Sequence, residues 1–95
     1  MTFEEFARAV DTPDPPAGVE GPLRALWLDA RGRWDAAHRV VQDIDTDAAA
    51  WVHAYLHRKE GDEGNAGYWY RRAGKPHARV SLDDEWRDIA RALLA

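Results

Sequence analysis

Apolar residues recur with a helical spacing along almost the whole chain. Leu23, Leu26, Trp27 and Ala30 follow the i, i+3, i+4, i+7 pattern that places them on one face of a helix. Comparable patterns occur in five further segments, which are bounded by glycine, proline or helix-capping residues. No segment alternates apolar and polar residues for long enough to form a strand. The sequence therefore predicts an all-α fold with six helices.

The signals at the helix ends predict one domain over residues 1–95. Thr2 and Glu5 have the spacing of a capping box, which predicts a short N-terminal helix within residues 1–10. Residues 11–20 contain three prolines, which interrupt a helix, and we expect this segment to be a surface tether. Residues 21–95 are expected to form a helical stack. We interpret its tryptophans as core residues, because they lie on or beside the inward helix faces.

An internal repeat indicates how these helices pack. Gly32 and Gly61 are 29 residues apart, and each is followed five residues later by an alanine, Ala37 or Ala66. In segments 32–37 and 66–73 the chain resembles tetratricopeptide and Sel1-like repeats, although its period of 29 residues is shorter than the usual 34 or so. The resemblance implies two stacked helical hairpins, flanked by a short N-terminal helix and a C-terminal capping helix.

Residues 51–74 carry a second, narrower resemblance. The pattern His-x3-His-Arg-x-Glu-Gly-Asp-x2-Asn-x2-Tyr-Trp-x-Arg-Arg begins at His53 and ends at Arg72. This segment is similar to one in uncharacterised small bacterial proteins and in longer fungal proteins of unknown function. It covers about a quarter of the chain. No activity is implied by this resemblance.

Composition excludes several classes of protein. The chain has no cysteine, so it has neither a disulfide framework nor a thiolate metal site or nucleophile. It lacks an apolar run long enough to span a bilayer, and its acidic N-terminal segment does not have the pattern of a secretory signal. We therefore expect a cytoplasmic protein without a membrane partner.

Charge is distributed unevenly along the chain. The formal net charge is −4, yet residues 51–79 contain six basic and three acidic side chains together with three histidines. Such a segment can face an anion or an acidic partner, or it can pair with the acidic ends of its own chain. The net negative charge argues against nucleic-acid binding, because a duplex presents many phosphates.

His53, His57 and Glu60 are candidates for a metal site or a general-base pair. Helical geometry places them on a common stripe that is turned away from the principal apolar face of their helix. Histidines at i and i+4 can share a metal, and a carboxylate can be a third ligand or orient one imidazole. The alternative is a polar helix face without metal. Only His38 and His77 remain as further histidine ligands.

The helix after Gly61 predicts a second candidate surface. Gly64, Gly67 and Arg71 share one face, and two glycines inside a helix suggest that a helix, the tether or a ligand approaches closely. Arg71, Arg72 and Arg58 could hold a carboxylate or phosphate. Alternatively, Arg71 and Arg72 pair with acids such as Asp83, Asp84 or Asp88. Tyr68 is predicted to point outward.

These observations predict a binding or interaction module that presents a basic groove to an acidic peptide or a small anion. The alternative is a small enzyme or metal-binding protein that uses His53, His57 and Glu60. No cofactor is predicted, and a homodimer through the face of Gly64, Gly67 and Tyr68 is possible. The residues predicted to bind the partner are His53, His57, Arg58, Asn65, Tyr68, Arg71 and Arg72.

Overall fold

A computed structural model describes all 95 residues and contains six helices and no strand. The predicted all-α class is therefore confirmed. No helix has both the length and the apolar character needed to cross a membrane. The helices are α1 (Phe3–Ala9), α2 (Gly21–Ala30), α3 (Trp34–Gln42), α4 (Asp47–Lys59), α5 (Glu63–Ala73) and α6 (Leu82–Leu94).

Polar side chains cap the N-termini of four of these helices, and the capping box predicted at the first helix is present. Thr2 and Glu5 form a complete capping box at α1. The side chains of Thr46, Asp62 and Ser81 each accept a hydrogen bond from a backbone N–H in the first turn of α4, α5 and α6. These bonds satisfy backbone donors that have no partner within the helix.

The helices form two hairpins, and one helix of the second hairpin, α4, lies at the centre of the fold. Helices α2 and α3 make the first hairpin, α4 and α5 make the second, and α4 also packs against α2, α3 and α6. Helix α6 lies across α2 and α4, the first helices of the two hairpins, and α1 packs on α6. The predicted arrangement of helical hairpins is confirmed. Helix α4 has neighbours on nearly every side.

Tryptophans tie the outer segments to the hairpins. Trp27 donates from Nε1 to the backbone oxygen of Ala9 at 2.8 Å, and Trp86 donates to that of Leu26 at 3.0 Å. Phe6 is fully buried and stacks on Trp86. All five tryptophans pack in or against the apolar clusters, so the prediction that they are core residues is confirmed.

A buried carboxylate joins α4, α5 and α6. Glu85 on α6 is only 2% exposed. It accepts hydrogen bonds from Arg58 Nη1 at 2.8 Å and from the Tyr70 hydroxyl at 2.6 Å, and Trp51 Nε1 lies 3.4 Å away. Burial, together with the Glu85 carboxylate, raises the pKa of Tyr70, which therefore remains a donor. The buried charge is thus fully paired.

Replacing Glu85 should strongly destabilise the fold. We expect Glu85→Ala to lower the free energy of unfolding by about 3–5 kcal/mol, because Arg58 and Tyr70 lose their acceptor inside the protein. Urea denaturation of the variant and of Asp88→Asn, an exposed change on the same helix, provides the measurement. Equal unfolding free energies for the two variants would contradict this role of Glu85.

Candidate metal centre

Three histidines converge between α3 and α4. His53 and His57 lie one turn apart on α4, and His38 faces them from α3. The Nε2 atoms of His38 and His53 are 3.0 Å apart. One potential ligand nitrogen from each of the three rings lies within 4.8 Å of the others. We call these three residues the histidine cluster.

The cluster is largely closed to solvent. His53 is 4% exposed and His57 is 8% exposed, while His38 is half-buried. The two histidines of α4 do point away from its main apolar face, but α3 and α5 cover that side of the helix. His53 and His57 are therefore buried side chains, because the helix that carries them is enclosed.

Aromatic stacking fixes the planes of the histidine rings. The His38 ring stacks on Trp34, which precedes it by one turn, with 5.0 Å between the ring centroids. The His53 ring stacks on Trp69 of α5 at 3.9 Å. Trp34 is itself held in place, because its Nε1 donates to the backbone oxygen of Leu56 at 2.8 Å. The cluster thus has a preorganised frame.

Glu60 orients the third ring. His57 Nδ1 lies 2.6 Å from Glu60 Oε2 and donates to it, which leaves Nε2 of His57 as the nitrogen with a free lone pair. A carboxylate bound to the far nitrogen of an imidazole is the usual support of a metal-ligating histidine. The sequence prediction that Glu60 could orient an imidazole agrees with this geometry.

Burial disfavours the charged forms of His38 and His53. Burial, with smaller contributions from the neighbouring His38 and His57, lowers the pKa of His53 to about 4. Burial also lowers the pKa of His38, with a second contribution from His57. The buried Nδ1 atom of His53 has no hydrogen-bond partner. Neutral imidazole is the form that binds a metal.

The separation of the His38 and His53 nitrogens suits adjacent ligands of one ion. With bonds of about 2.0–2.1 Å and angles of about 90–110°, two imidazole nitrogens on a metal are about 2.8–3.4 Å apart. The observed Nε2–Nε2 distance of 3.0 Å falls within this interval. The His38 and His53 nitrogens are therefore spaced as two ligands of one ion would be, and the third nitrogen lies within 4.8 Å of both.

The cluster could be only partly predicted. Sequence spacing identified His53, His57 and Glu60, but it could not choose between His38 and His77 as a further ligand. The structure brings in His38. His77, from the segment between α5 and α6, instead pairs with Glu63 at 2.6 Å and packs against Tyr70. The sequence feature that distinguishes His38 is its position one helical turn after Trp34, a spacing that allows the two rings to stack.

Two of the predicted anion-binding arginines have partners within the protein. Arg58 donates to Glu85 and to the backbone oxygen of Val80, so its guanidinium is used inside the fold. Arg72 pairs with Asp45 at 3.1 Å, not with the acids of α6 that the sequence suggested. It also donates to the Tyr68 hydroxyl at 3.3 Å.

The remaining predicted residues lie on the outer surface of α5. Asn65 is exposed and bonds to the capping residue Asp62. Tyr68 is 44% exposed and Arg71 is exposed without a salt bridge. A Cβ atom on Gly67 would meet the side chains of Arg71 and His77, so the approach expected at the bare glycine face comes from these two residues. The structure does not bring the predicted groove residues together in one place.

Comparisons of the chain with protein-family models, curated proteins and solved structures gave no match. The resemblances to tetratricopeptide and Sel1-like repeats, and to the bacterial and fungal segment, remain predictions. The histidine cluster has to be interpreted from its own chemistry.

His53 should make the metal-free protein sensitive to acid. In the unfolded chain its imidazole binds a proton near pH 6.5, whereas in the folded protein it does so only near pH 4. The free energy of unfolding should therefore fall as the pH drops from about 6.5 to about 4, by up to about 3 kcal/mol from this residue. Above pH 6.5 the contribution is fully present.

Chemical denaturation across this pH range, in the presence of a chelator, measures the effect. His53→Phe keeps an aromatic ring against Trp69 and removes the titrating group, so its stability should change less with pH than that of the wild-type protein. Parallel pH profiles for the two proteins would contradict the low pKa of His53.

Proposed function

We propose that this protein binds one divalent transition-metal ion through His38, His53 and His57. The observation that carries the proposal is the convergence of three ring nitrogens, from two helices, within 4.8 Å of one another. Buried imidazoles are expected to have hydrogen-bond partners, yet the Nδ1 atom of His53 has none. Proteins break such local rules mainly at functional sites, so the unpaired nitrogen supports a role for His53 other than packing.

The donor set selects a class of metal. Imidazole nitrogens favour zinc, copper, nickel and related ions, whereas magnesium and calcium require oxygen ligands. Because the chain has no cysteine, a thiolate site for a softer ion is excluded. Zinc is the ion that we expect, since imidazole nitrogen is one of its usual ligands. Its tetrahedral geometry would separate the two Nε2 atoms by about 3.3–3.4 Å, so they would move apart by a few tenths of an ångström from the 3.0 Å observed.

Glu60 supports the site from outside the coordination sphere. Its hydrogen bond to Nδ1 makes the opposite nitrogen of His57 a stronger metal ligand and holds the ring in one tautomer. Trp34 and Trp69 restrict rotation of His38 and His53 in the same way, through stacking. Little conformational entropy is then lost when the ion binds.

An interaction module that recognises an acidic partner remains the second candidate. The feature that favours it is the exposed surface of α5, where Tyr68 lies beside Arg71 and Arg71 has no acidic partner. It has fewer available cations than the sequence suggested, because Arg58 and Arg72 are engaged within the chain. We therefore place metal binding first.

Calorimetric titration of the chelator-treated protein with Zn²⁺ tests the proposal. We expect one ion per chain. His38→Phe should weaken binding more than about 100-fold, because it removes a ligand, whereas loss of a supporting residue costs about 10–100-fold. This variant retains a ring that can stack on Trp34, and its half-buried position favours folding, which circular dichroism checks.

His77→Ala is the matched control, because His77 lies outside the histidine cluster. It should bind Zn²⁺ as tightly as the wild-type protein. Glu60→Gln should fall between the control and His38→Phe. If the wild-type protein takes up no zinc, or if His38→Phe binds it with unchanged affinity, the proposal is wrong.

A further inference from the structure

We infer that a metal ion bound at the histidine cluster keeps one coordination position for an exchangeable ligand, either water or a small anion. This inference rests on the proposed function and deepens it. A tetrahedral structural zinc site has four protein ligands, whereas sites that handle a substrate have three and leave the fourth position open. The question is therefore whether this chain can supply a fourth donor.

Glu60 and Asp62 lie close enough to His57 to form a second group of potential ligands, but both carboxylates accept hydrogen bonds within the chain. Glu60 is bound to Nδ1 of His57, on the side of the ring opposite to the nitrogen that is free for the metal. Asp62 accepts from the backbone N–H and the side-chain amide of Asn65, and it caps α5. His77 pairs with Glu63 elsewhere in the fold.

The chain contains no further nitrogen or sulfur ligand that could reach the cluster. It has four histidines in total, no cysteine and a single methionine at its N-terminus. Three of the four histidines form the cluster, and the fourth is His77. The protein therefore supplies three ligands, and a tetrahedral ion needs one more from solution.

Solvent can reach the cluster on one side. None of its three rings lines one of the larger cavities of the protein, so access depends on the exposure of the residues themselves. His53 and His57 are buried, and Trp34 and Trp69 cover ring faces of His38 and His53. His38 is half-buried on α3 and is the most exposed of the three rings. We therefore expect the exchangeable ligand to enter beside His38.

Charge determines which ligands the open position favours. The three imidazoles are neutral ligands, so they leave the full double charge of the ion. Glu60 carries the nearest negative charge that touches a ligand, and it lies outside the coordination sphere. The site thus favours a small monodentate anion, such as azide, hydroxide or a carboxylate, over a neutral or cationic ligand.

Cobalt substitution provides a direct test. Co²⁺ binds similar sites, and its visible absorption bands report the number and type of its ligands. We expect a protein loaded with Co²⁺ to show a saturable change in these bands when sodium azide is added, while the metal stays bound. The His77→Ala variant is the control and should respond in the same way.

Three results would overturn the inference. If cobalt binds at one ion per chain and excess azide leaves its spectrum unchanged, the coordination sphere is full, and the proposed metal binding stands alone. If azide strips the cobalt from the protein, the ion is held too weakly for a defined fourth position. If cobalt does not bind at all, the proposed function fails together with this inference.

Discussion

The enclosure of α4 is the constraint on which the rest of this structure depends. Eight of its 13 residues are buried, and they include the polar residues His53, Tyr55 and His57. A helix surrounded by neighbours cannot turn these groups toward water, so each needs a partner on another helix. Tyr55 donates to the buried Asp29 of α2 at 2.9 Å, and Arg58 reaches Glu85 of α6. These bonds position α2 and α6 around the central helix.

The histidines meet the same requirement with a different outcome. His53 shares one hydrogen bond with His38, and His57 donates to Glu60. One nitrogen of His53 nevertheless remains buried without a partner, and it is the only such side-chain atom in the chain. The fold satisfies every other buried polar side-chain atom and leaves this one unpaired, on the ring whose opposite nitrogen, Nε2, faces His38. Packing alone does not explain three imidazole rings in contact.

The ends of the helices could be predicted from local sequence, whereas the way in which the helices pack on one another could not. Thr2, Thr46, Asp62 and Ser81 act as caps because each provides an acceptor for the first turn, which is a property of a few adjacent residues. The cover over His53 and His57 depends on where α3 and α5 pack, and helical spacing within α4 contains no such information. Helical spacing alone therefore predicts that a histidine stripe beside an apolar stripe is exposed.

Pairings between side chains that are far apart in sequence could not be predicted either, with one exception. His38 reaches His53 across 15 residues, and Arg72 reaches Asp45 across 27, so neither pairing follows from spacing. Glu85 could have been found, because it lies three residues after Leu82 and four before Ile89, inside the apolar stripe of α6. A carboxylate at such a position must be buried and paired. Its arginine partner was instead interpreted as part of an anion site.

The central claim is that the three histidines bind one metal ion. A crystal structure of the zinc-loaded protein, with diffraction data collected on both sides of the zinc absorption edge, tests it most directly. The account predicts a single anomalous peak at about 2.0–2.1 Å from one nitrogen of each of His38, His53 and His57. No peak within the histidine cluster, or a peak at Glu63 and His77 instead, would contradict it.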